Sequence, residues 1–480
     1  MSALTLCAVF SAFSIVLVLQ RLLSSWSHAY RAYFRTKLHY SCSPVSLLVK
    51  CSLCQNSIIT DGASKYQNES LKTFVENRCP SLSSSPFMPA WWLFNGHLQT
   101  CYSVVGDFST VDKIEYQRTL LRTADGGTLG LDFTPPDSAQ DDRPIIVVLH
   151  GLTGGSHEAY VRAVLSVVCA PSESGGLGYR AVVVNSRGCA GVPITSPQFY
   201  SAGATDDVRV AIYYIRRRYP RAILLGLAFS VGGNILTRYV AEEGESCRLA
   251  AACVLACPWD LLKNSDALER RWLHRIIYSK ALGTNLQSVI KGHAASLRQF
   301  PGHPVEQALE PCLALSSPTM EMFDNTFNCI AGGSSPPFPF PDARAYYTWG
   351  SSHQMLPQIR VPFLAINAQD DPIVQVFPTD AGGNGYVVLA VTKMGGHLGW
   401  FQAEGALAMG PITRWFSKPV TEWLRAVGED LVICGRSEKP LCEVDGFLKE
   451  VGRDDIGCIE MEAGQRVSGI EGEAGVLQGL

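Results

Sequence analysis

Ser230 stands at a sharp turn from strand to helix and is the residue of this sequence best placed for covalent chemistry. The apolar run 223–229 ends at Ser230, two glycines follow within three residues, and apolar residues then recur at helical spacing. The pattern Ala228-x-Ser230-x-Gly232 is typical of a nucleophile elbow, whose small residues let the backbones approach and leave the serine hydroxyl projecting from the sheet. Glycine usually occupies the first of these positions, so Ala228 departs from the pattern by one methyl group. Ser230 is the candidate nucleophile.

One histidine is placed to act as the base for this serine. In the chain order that accompanies such an elbow, an acidic residue and then a histidine follow the serine. Of ten histidines, only His397 lies beyond the strand predicted at residues 362–366, in a glycine-bracketed loop after the last predicted strand. His150 precedes the serine and closes a strand, so we expect it to shape a loop instead. His97 receives no role from the sequence.

The carboxylate that would orient the imidazole has two adjacent candidates. Asp370 and Asp371 both follow the strand predicted at residues 362–366, and only one of them can hydrogen-bond to the ring. A count of three residues from the polar end of that strand favours Asp370. Asp371 and Asp260, which follows an earlier strand, are the alternatives.

Two backbone amides are candidates for stabilising an oxyanion. One is the N–H of Val231, directly after the nucleophile, and the other is the N–H of Leu152, in the loop that follows His150. No cofactor or metal is predicted. Cys51 and Cys54 form a lone C-x-x-C without a second pair, and most of the sixteen cysteines are scattered and read as buried thiols.

The wider pattern of apolar segments predicts an α/β fold with a mostly parallel, eight-stranded type of sheet flanked by helices. Asp125 and the two glycines after it mark a hairpin between the first two strands, and a helix is expected at residues 206–218. Residues 259–350 are helical and aromatic in character, and such an insertion between late strands predicts a lid. The predicted strands are residues 114–121, 129–133, 144–149, 181–184, 225–230, 249–256, 362–366 and 386–391.

Composition bounds the class of protein and the extent of its folded domain. The 480 residues are 47% hydrophobic and carry a formal net charge of −3, so nothing favours nucleic-acid binding through bulk electrostatics. We expect one large domain at residues 83–427. Residues 27–82 are serine-rich without a sustained period and are predicted to be a linker. Residues 428–480 are acidic with little periodicity and are predicted to be a disordered tail.

The N-terminus predicts a membrane anchor at residues 1–26. The apolar run 3–19 is long enough as a helix to span about 26 Å, the short limit for a bilayer. Arginine and lysine follow the run and none precedes it, which favours a retained single-pass or monotopic anchor over a cleaved signal peptide. The same bias predicts that the catalytic domain lies in the cytosol, with the endoplasmic reticulum or a lipid droplet as the membrane.

Seven separated stretches, in the same order, resemble one group of α/β-hydrolases. That group contains the fungal medium-chain fatty acid ethyl ester synthases/esterases and their membrane-anchored monoacylglycerol and phospholipid lipase relatives, and the resemblance spans about residues 85–425. The stretches are residues 91–100, 150–156, 185–191 with Tyr200 and 205–207, 230–234, 323–324 with 346–347, 367–372 and 395–397.

The sequence therefore predicts a serine esterase or lipase that works through an acyl-enzyme. The resemblance implies medium-chain acyl groups and an alcohol O-acyltransferase capacity, with water or a short alcohol as acyl acceptor. The partners expected are a small acyl ester or lipid and a membrane or lipid droplet. The alternative is a catalytically silent hydrolase fold that serves as a membrane scaffold or lipid sensor.

Overall fold

A central sheet with helices on both faces organises the protein. The computed structural model describes residues 32–50, 65–136, 142–403, 410–433, 437–468 and 476–479. Two further sheets have two strands each, β2 with β3 and β12 with β13. The strands are β1 (Lys37–Tyr40), β2 (Ser46–Lys50), β3 (Tyr66–Ser70), β4 (Glu115–Thr123), β5 (Thr128–Thr134), β6 (Ile145–Leu149), β7 (Arg180–Asn185), β8 (Leu224–Phe229), β9 (Ala251–Leu255), β10 (Phe363–Ala368), β11 (Val387–Thr392), β12 (Phe401–Ala403), β13 (Ile412–Arg414), β14 (Leu441–Val444), β15 (Phe447–Glu450) and β16 (Arg453–Ser468).

Eight of these strands form the sheet that the sequence predicts. Their order is β4, β5, β7, β6, β8, β9, β10 and β11. The six strands from β7 to β11 are mutually parallel, whereas β4 and β5 form the predicted antiparallel hairpin. Because the carboxyl ends of parallel strands meet at one edge, the loops after β6, β8, β10 and β11 converge there.

Helices cover the sheet and supply the insertion between β9 and β10. The α-helices are Leu71–Arg78, Pro80–Ser83, Gly96–Val105, Ala159–Val168, Asp206–Arg218, Val231–Glu243, Leu261–Arg270, Trp272–His274, Lys280–Gly292, Ala294–Leu297, Pro304–Ala314, Met320–Phe323, Cys329–Ala331, Ala343–Gly350 and Ser417–Arg425. The 3₁₀-helices are Ser172–Ser174, Gly244–Ser246 and His353–Gln358, and the π-helices are Arg275–Ser279, Asp324–Asn328 and Ala426–Asp430.

The hydrophobic core lies in two layers, one on each face of the sheet. Successive residues of a strand point to opposite faces. In β6, Ile146 and Val148 therefore pack in one layer, and Ile145, Val147 and Leu149 pack in the other. All five are buried, which explains why the central strands read as unbroken apolar runs.

The predicted lid at residues 259–350 is helical and forms small hydrophobic clusters together with residues of the body. Phe199 and Phe327 belong to one of these clusters, and Phe338 and Tyr346 belong to another. Asn234, in the helix after Ser230, ties the end of this insertion to the body. Its Nδ2 donates to the carbonyl oxygens of Ala202 and Gly350, at 2.8 Å each. Its Oδ1 accepts from the Ser352 amide.

The segment predicted to be a linker is instead part of the folded domain. Strand β1 pairs antiparallel with β11 and extends the sheet at that edge. Val49, Phe74, Val75 and Leu82 are fully buried in the same core as the sheet. The local composition did not reveal this strand, because β1 pairs with residues more than 300 positions later in the chain. The predicted boundary at residue 83 was wrong.

The predicted disordered tail is likewise folded where the structure describes it. Strand β16 pairs antiparallel with β4 along its length, with two irregularities, and β15 and β14 follow it to the far edge of the sheet. Most of its exposed residues are polar or charged, and for this reason the segment resembles a mobile tail in composition. Residues 434–436, 469–475 and 480 lie outside the described part.

The predicted anchor at residues 1–26 lies outside the described residues and stays a prediction. Cys51 and Cys54 also lie outside the described residues. From residue 32 onward, none of the described helices is both long and apolar enough to cross a membrane.

The inclusion of residues 66–83 in the core leads to a stability prediction. Phe74 is fully buried, its ring lies 6.3 Å from that of Trp423, and the Arg78 guanidinium lies 4.5 Å from its centre. We expect Phe74→Ala to lower the free energy of unfolding by about 3–5 kcal/mol, because the cavity is lined by a rigid core. Gln67→Ala, on the exposed face of β3, should cost less than about 1 kcal/mol. Denaturant unfolding measures the loss of stability in both variants. Equally small losses would indicate that this segment is a linker and not part of the core.

Candidate active site

The turn after β8 holds Ser230 in a strained backbone conformation. Its φ is 50° and its ψ is −126°, a region that non-glycine residues rarely adopt and that costs on the order of 1–3 kcal/mol. A Cβ at Gly232 would lie 2.4 Å from the His150 carbonyl oxygen, so only glycine lets the helix Val231–Glu243 start this close to β6. Ala228 is fully buried, and its methyl group is accommodated. The geometry is that of the predicted elbow.

Ser230, His397 and Asp371 form one continuous hydrogen-bonded chain. The Ser230 Oγ lies 2.9 Å from the His397 Nε2, and the His397 Nδ1 lies 2.8 Å from the Asp371 Oδ2. All three side chains are buried. The other carboxylate oxygen of Asp371 accepts from the amides of Ile373 and Val374, at 2.8 Å each. Three hydrogen-bond partners therefore fix the position of this carboxylate.

The choice of Asp370 as the partner of the imidazole was wrong, and Asp371 takes this place. The physical reason is that β10 extends to Ala368, one residue further than Asn367, from which the three residues were counted. The Asp370 Oδ1 instead accepts from the Gly396 amide at 3.0 Å, and its Oδ2 is buried without a partner among the described residues. Burial raises the pKa of Asp370 to about 6. Asp370 holds the turn before the histidine, not the histidine ring. The third candidate, Asp260, caps the helix that starts at Leu261.

The loop after β6 brings Leu152 to the same cavity as Ser230 and Val231. The amides on either side of Leu152 are held by tyrosine hydroxyls: the Gly151 N–H donates to Tyr160 and the Thr153 N–H donates to Tyr200, at 2.9 Å each. Val231 is the first residue of its helix, so its N–H has no acceptor within the helix. Leu152 and Val231 therefore line the same cavity as Ser230, and their amides stay the predicted oxyanion donors.

The expectation that His150 shapes this loop is confirmed. Its Nδ1 donates to the Gly151 carbonyl oxygen at 2.7 Å, and its Nε2 accepts from the Ser186 amide at 3.2 Å. Burial lowers the pKa of His150 to about 4, so the ring is neutral near pH 7, as these two bonds require.

A buried polar network supports the loop from below. The Arg118 guanidinium forms two bonds to the Asp132 carboxylate, at 2.6 and 2.7 Å. The Asp132 Oδ2 also accepts from the Ser156 hydroxyl and from the Asn185 side-chain amide. Such a network is rigid because every buried charge in it has a partner. The motif residues at 156 and 185 thus act by fixing the loop that carries Leu152.

The helix Gly96–Val105 supports the histidine loop, which the sequence did not reveal. The Thr100 hydroxyl accepts from the His397 amide at 2.8 Å, and the Gln99 Oε1 accepts from the Phe401 amide at 2.6 Å. A Cβ at Gly96 would lie 1.8 Å from the Asp370 carbonyl oxygen, so glycine is needed for this contact. The mostly polar run with glycine at residues 95–100 was the available signal of a special role, but the histidine loop that it contacts lies about 300 residues later. His97 itself contacts the lid through Tyr278.

Ser230 opens into a mostly apolar cavity beneath the lid. Leu261, Leu268, Leu282, Met320 and Ile373 are among the residues that line it. Such a lining suits a hydrocarbon chain, because burying each CH₂ group is favourable by about 0.8 kcal/mol.

One wall of the cavity carries a buried carboxylate. The Asp324 Oδ2 accepts from the Tyr347 hydroxyl at 2.6 Å, and its Oδ1 accepts from the Asn328 side-chain amide at 2.9 Å. Burial nevertheless raises the pKa of Asp324 to about 7. The carboxyl group therefore changes charge near neutral pH inside the lid.

Fold and site together define the class of protein. The pattern of an α/β hydrolase fold matches residues 144–378. An abhydrolase domain-containing protein of Dictyostelium discoideum is 31% identical over 367 residues, which cover 74% of this chain and 85% of that protein. The chain belongs to the α/β-hydrolase family.

Two yeast proteins are similar over most of the chain. The monoacylglycerol lipase of Saccharomyces cerevisiae is 28% identical over 439 residues, 82% of this chain and 93% of that protein. The medium-chain fatty acid ethyl ester synthase/esterase 2 of the same organism is 27% identical over 419 residues, 75% of this chain and 90% of that protein. These proteins belong to the group that the sequence motifs resemble.

The adjacent aspartates provide a matched pair of variants. Asp371→Asn should lower kcat for an ester by about 10³- to 10⁴-fold, because an amide at Nδ1 stabilises the wrong imidazole tautomer. Asp370→Asn keeps an acceptor for the Gly396 amide and should change kcat by less than about tenfold. Steady-state kinetics on one ester compares them, and the reverse ranking would contradict the assignment of Asp371.

The raised pKa of Asp324 predicts a pH-dependent stability. A carboxyl whose pKa is higher in the folded state makes folding less favourable as pH rises from its ordinary value near 3.8 to about 7. Asp324→Asn removes this titration. The difference in unfolding free energy between variant and wild type should shift in favour of the variant by about 2–4 kcal/mol from pH 4 to pH 7.5. Denaturant titrations across this range measure it, and a constant difference would show that Asp324 does not carry the shift.

Proposed function

We propose that this protein is a serine carboxylic-ester hydrolase of the esterase or lipase type. The observation that carries the proposal is the unbroken hydrogen-bonded chain from Asp371 through His397 to Ser230, which lines an apolar cavity. A silent scaffold would have no need to hold three polar side chains in this geometry at the cost of backbone strain at Ser230.

The reaction starts with attack of the Ser230 Oγ on the ester carbonyl carbon. As the new C–O bond forms, the serine proton passes to the His397 Nε2, and the carbonyl electron pair moves onto the oxygen. The amides of Leu152 and Val231 stabilise this oxyanion. Collapse of the intermediate breaks the ester C–O bond, the alcohol leaves with the proton from His397, and an acyl-Ser230 ester remains.

Deacylation repeats these steps with a second nucleophile. Water or a short alcohol attacks the acyl-Ser230 carbonyl while the His397 Nε2 takes its proton, and that proton returns to the Ser230 Oγ as the acyl bond breaks. Water yields a carboxylic acid, whereas an alcohol yields a new ester. Asp371 keeps Nδ1 protonated throughout and stabilises the imidazolium form.

The cavity and the names of the relatives support the substrate class that we propose. The leucine- and isoleucine-lined space suits an acyl chain. Relatives bear the names monoacylglycerol lipase, phospholipase and medium-chain fatty acid ethyl ester synthase/esterase. These names support medium-chain acyl esters, with alcohol O-acyltransfer as a second outcome of the same acyl-enzyme. We further propose that the apolar run 3–19 anchors the protein to the endoplasmic reticulum or a lipid droplet with this domain in the cytosol.

Variants of the nucleophile and base test the proposal. Ser230→Ala and His397→Ala should each lower kcat by about 10⁴- to 10⁶-fold, and the double variant should be hardly worse, because the residues act as one unit. Additive losses would show that the two residues act separately. Circular dichroism of each variant serves as the folding control.

A product analysis with ethanol tests the acyltransferase branch. Incubation with a medium-chain ester of a different alcohol should yield both the free acid and the ethyl ester, and Ser230→Ala should lose both. The ratio of the two products should rise with ethanol concentration, since the two acceptors compete for one acyl-enzyme. Free acid alone at every ethanol concentration would limit the activity to hydrolysis. A second set of substrates, varied in acyl length and head group, would measure the preference of the cavity.

A further inference from the structure

The lid exposes large apolar side chains on the outside of one short helical segment. His274 and Tyr278 of this segment are buried against the body, whereas Trp272 is 73% exposed. Leu273, Ile276 and Ile277 are each 43% exposed. Residues on the solvent side of a lid are normally polar, so four exposed apolar residues within six positions require an explanation.

A second exposed apolar group precedes a helix that contacts this segment. Trp91 and Phe94, in the loop before the helix Gly96–Val105, are 65% and 59% exposed. The His97 Nδ1 lies 2.8 Å from the Tyr278 hydroxyl, and the rings of His97 and His274 are 5.4 Å apart. These contacts join the first turn of that helix to the lid segment. We call the six exposed residues the interfacial patch: Trp91, Phe94, Trp272, Leu273, Ile276 and Ile277.

The interfacial patch lies directly outside the wall of the Ser230 cavity. Tyr278, whose side chain separates the two, packs with Leu268, Leu282 and Val374. Those three residues line the cavity that contains Ser230. A hydrophobic ester in a surface that touches the patch therefore lies close to the wall of the cavity that contains Ser230.

Basic residues are interleaved with the apolar ones. Arg270, Arg271 and Arg275 are exposed in the same segment, and Lys280 follows it. Nearby acidic groups include Glu269, whose carboxylate lies 3.2 Å from the Arg275 guanidinium, and Asp266, whose carboxylate lies 2.7 Å from the Arg344 guanidinium. Exposed aromatic and aliphatic side chains flanked by arginine match an anionic bilayer surface, where the rings enter the headgroup region and the guanidinium groups meet lipid phosphates.

The chain preceding residue 32 joins the structure at the same edge of the sheet. Strand β1 runs antiparallel to β11, with Lys37 opposite Val391, so its start lies at the carboxyl end of β11. Lys393 lies four residues before His397, and its Nζ is 5.3 Å from the centre of the Tyr33 ring. The apolar run 3–19 is thus connected to the molecule on the side that carries the site and the lid.

We infer that the interfacial patch docks on the surface of an anionic phospholipid bilayer and places the lid wall of the Ser230 cavity against the lipid. The inference rests on the proposed ester hydrolysis and adds the surface through which the substrate arrives. The anchor keeps the protein at the membrane, while the patch sets its orientation. Delivery of a bilayer-embedded ester depends on the patch, and the chemistry at Ser230 does not.

The full chain in vesicles of phosphatidylcholine and phosphatidylserine tests this. We expect the triple variant W272S/I276S/I277S to hydrolyse a long-chain ester embedded in the bilayer about tenfold more slowly or worse, because the lost apolar contact lowers the local substrate concentration. Its kcat on a soluble short-chain ester should stay within about twofold of wild type. The matched control, V451S/M461S, removes two residues that are 50% and 53% exposed at the opposite edge of the sheet, and it should change neither rate.

A spectroscopic measurement gives an independent readout. Brominated phospholipids in the same vesicles should quench the part of the tryptophan fluorescence that W272F removes. No quenching of that part, together with unchanged hydrolysis of the embedded ester by the triple variant, would overturn the inference. Equal loss on both esters would make the patch a structural element of the lid. A concentration-dependent dimer that the triple variant abolishes, without quenching, would assign the patch to a second copy. Absence of soluble-ester hydrolysis in the wild type would instead refute the proposed function.

Discussion

The placement of the His397 ring is the constraint on which the rest of the site depends. The ring needs a carboxylate on one side and the serine on the other, and its loop contains glycines that give it little rigidity of its own. Rigidity comes from both flanks: Asp370 and Thr100 fix the backbone of the loop, while Asp371 fixes the ring. Adjacent aspartates thus divide two tasks, one structural and one electrostatic.

Hydrogen bonds of one side chain also couple the lid to the nucleophile. Asn234 lies one helical turn after Ser230, and its side chain bonds to backbone groups before and after the inserted helices. The helix that positions the serine therefore also positions the lid. The lid in turn supplies the cavity wall and, through Tyr278, meets the helix that supports the histidine loop. Elements far apart in sequence share one closed set of contacts around the cavity.

Sequence patterns correctly predicted the features whose conformation is determined by residues close together in the chain. The elbow, the parallel strands and the glycine loop of His397 each have a signature within about ten residues, and each was predicted in place. The choice of Asp370 over Asp371 was wrong because the three residues were counted from Asn367, whereas β10 continues to Ala368. The edge strands β1 and β16 and the support from Gly96 and Thr100 rest on pairings across most of the chain, which composition does not encode.

The central claim is that Ser230 forms a covalent acyl intermediate with His397 as its base. Rapid acid quenching during turnover of a medium-chain ester, followed by peptide mapping with mass spectrometry, tests it most directly. The account predicts a mass increase equal to the acyl group on the peptide that contains Ser230, in amounts that approach one per chain when deacylation is slow. It predicts no such increase in His397→Ala. An acyl group on another residue, or turnover with no acylated peptide at any quench time, would contradict it.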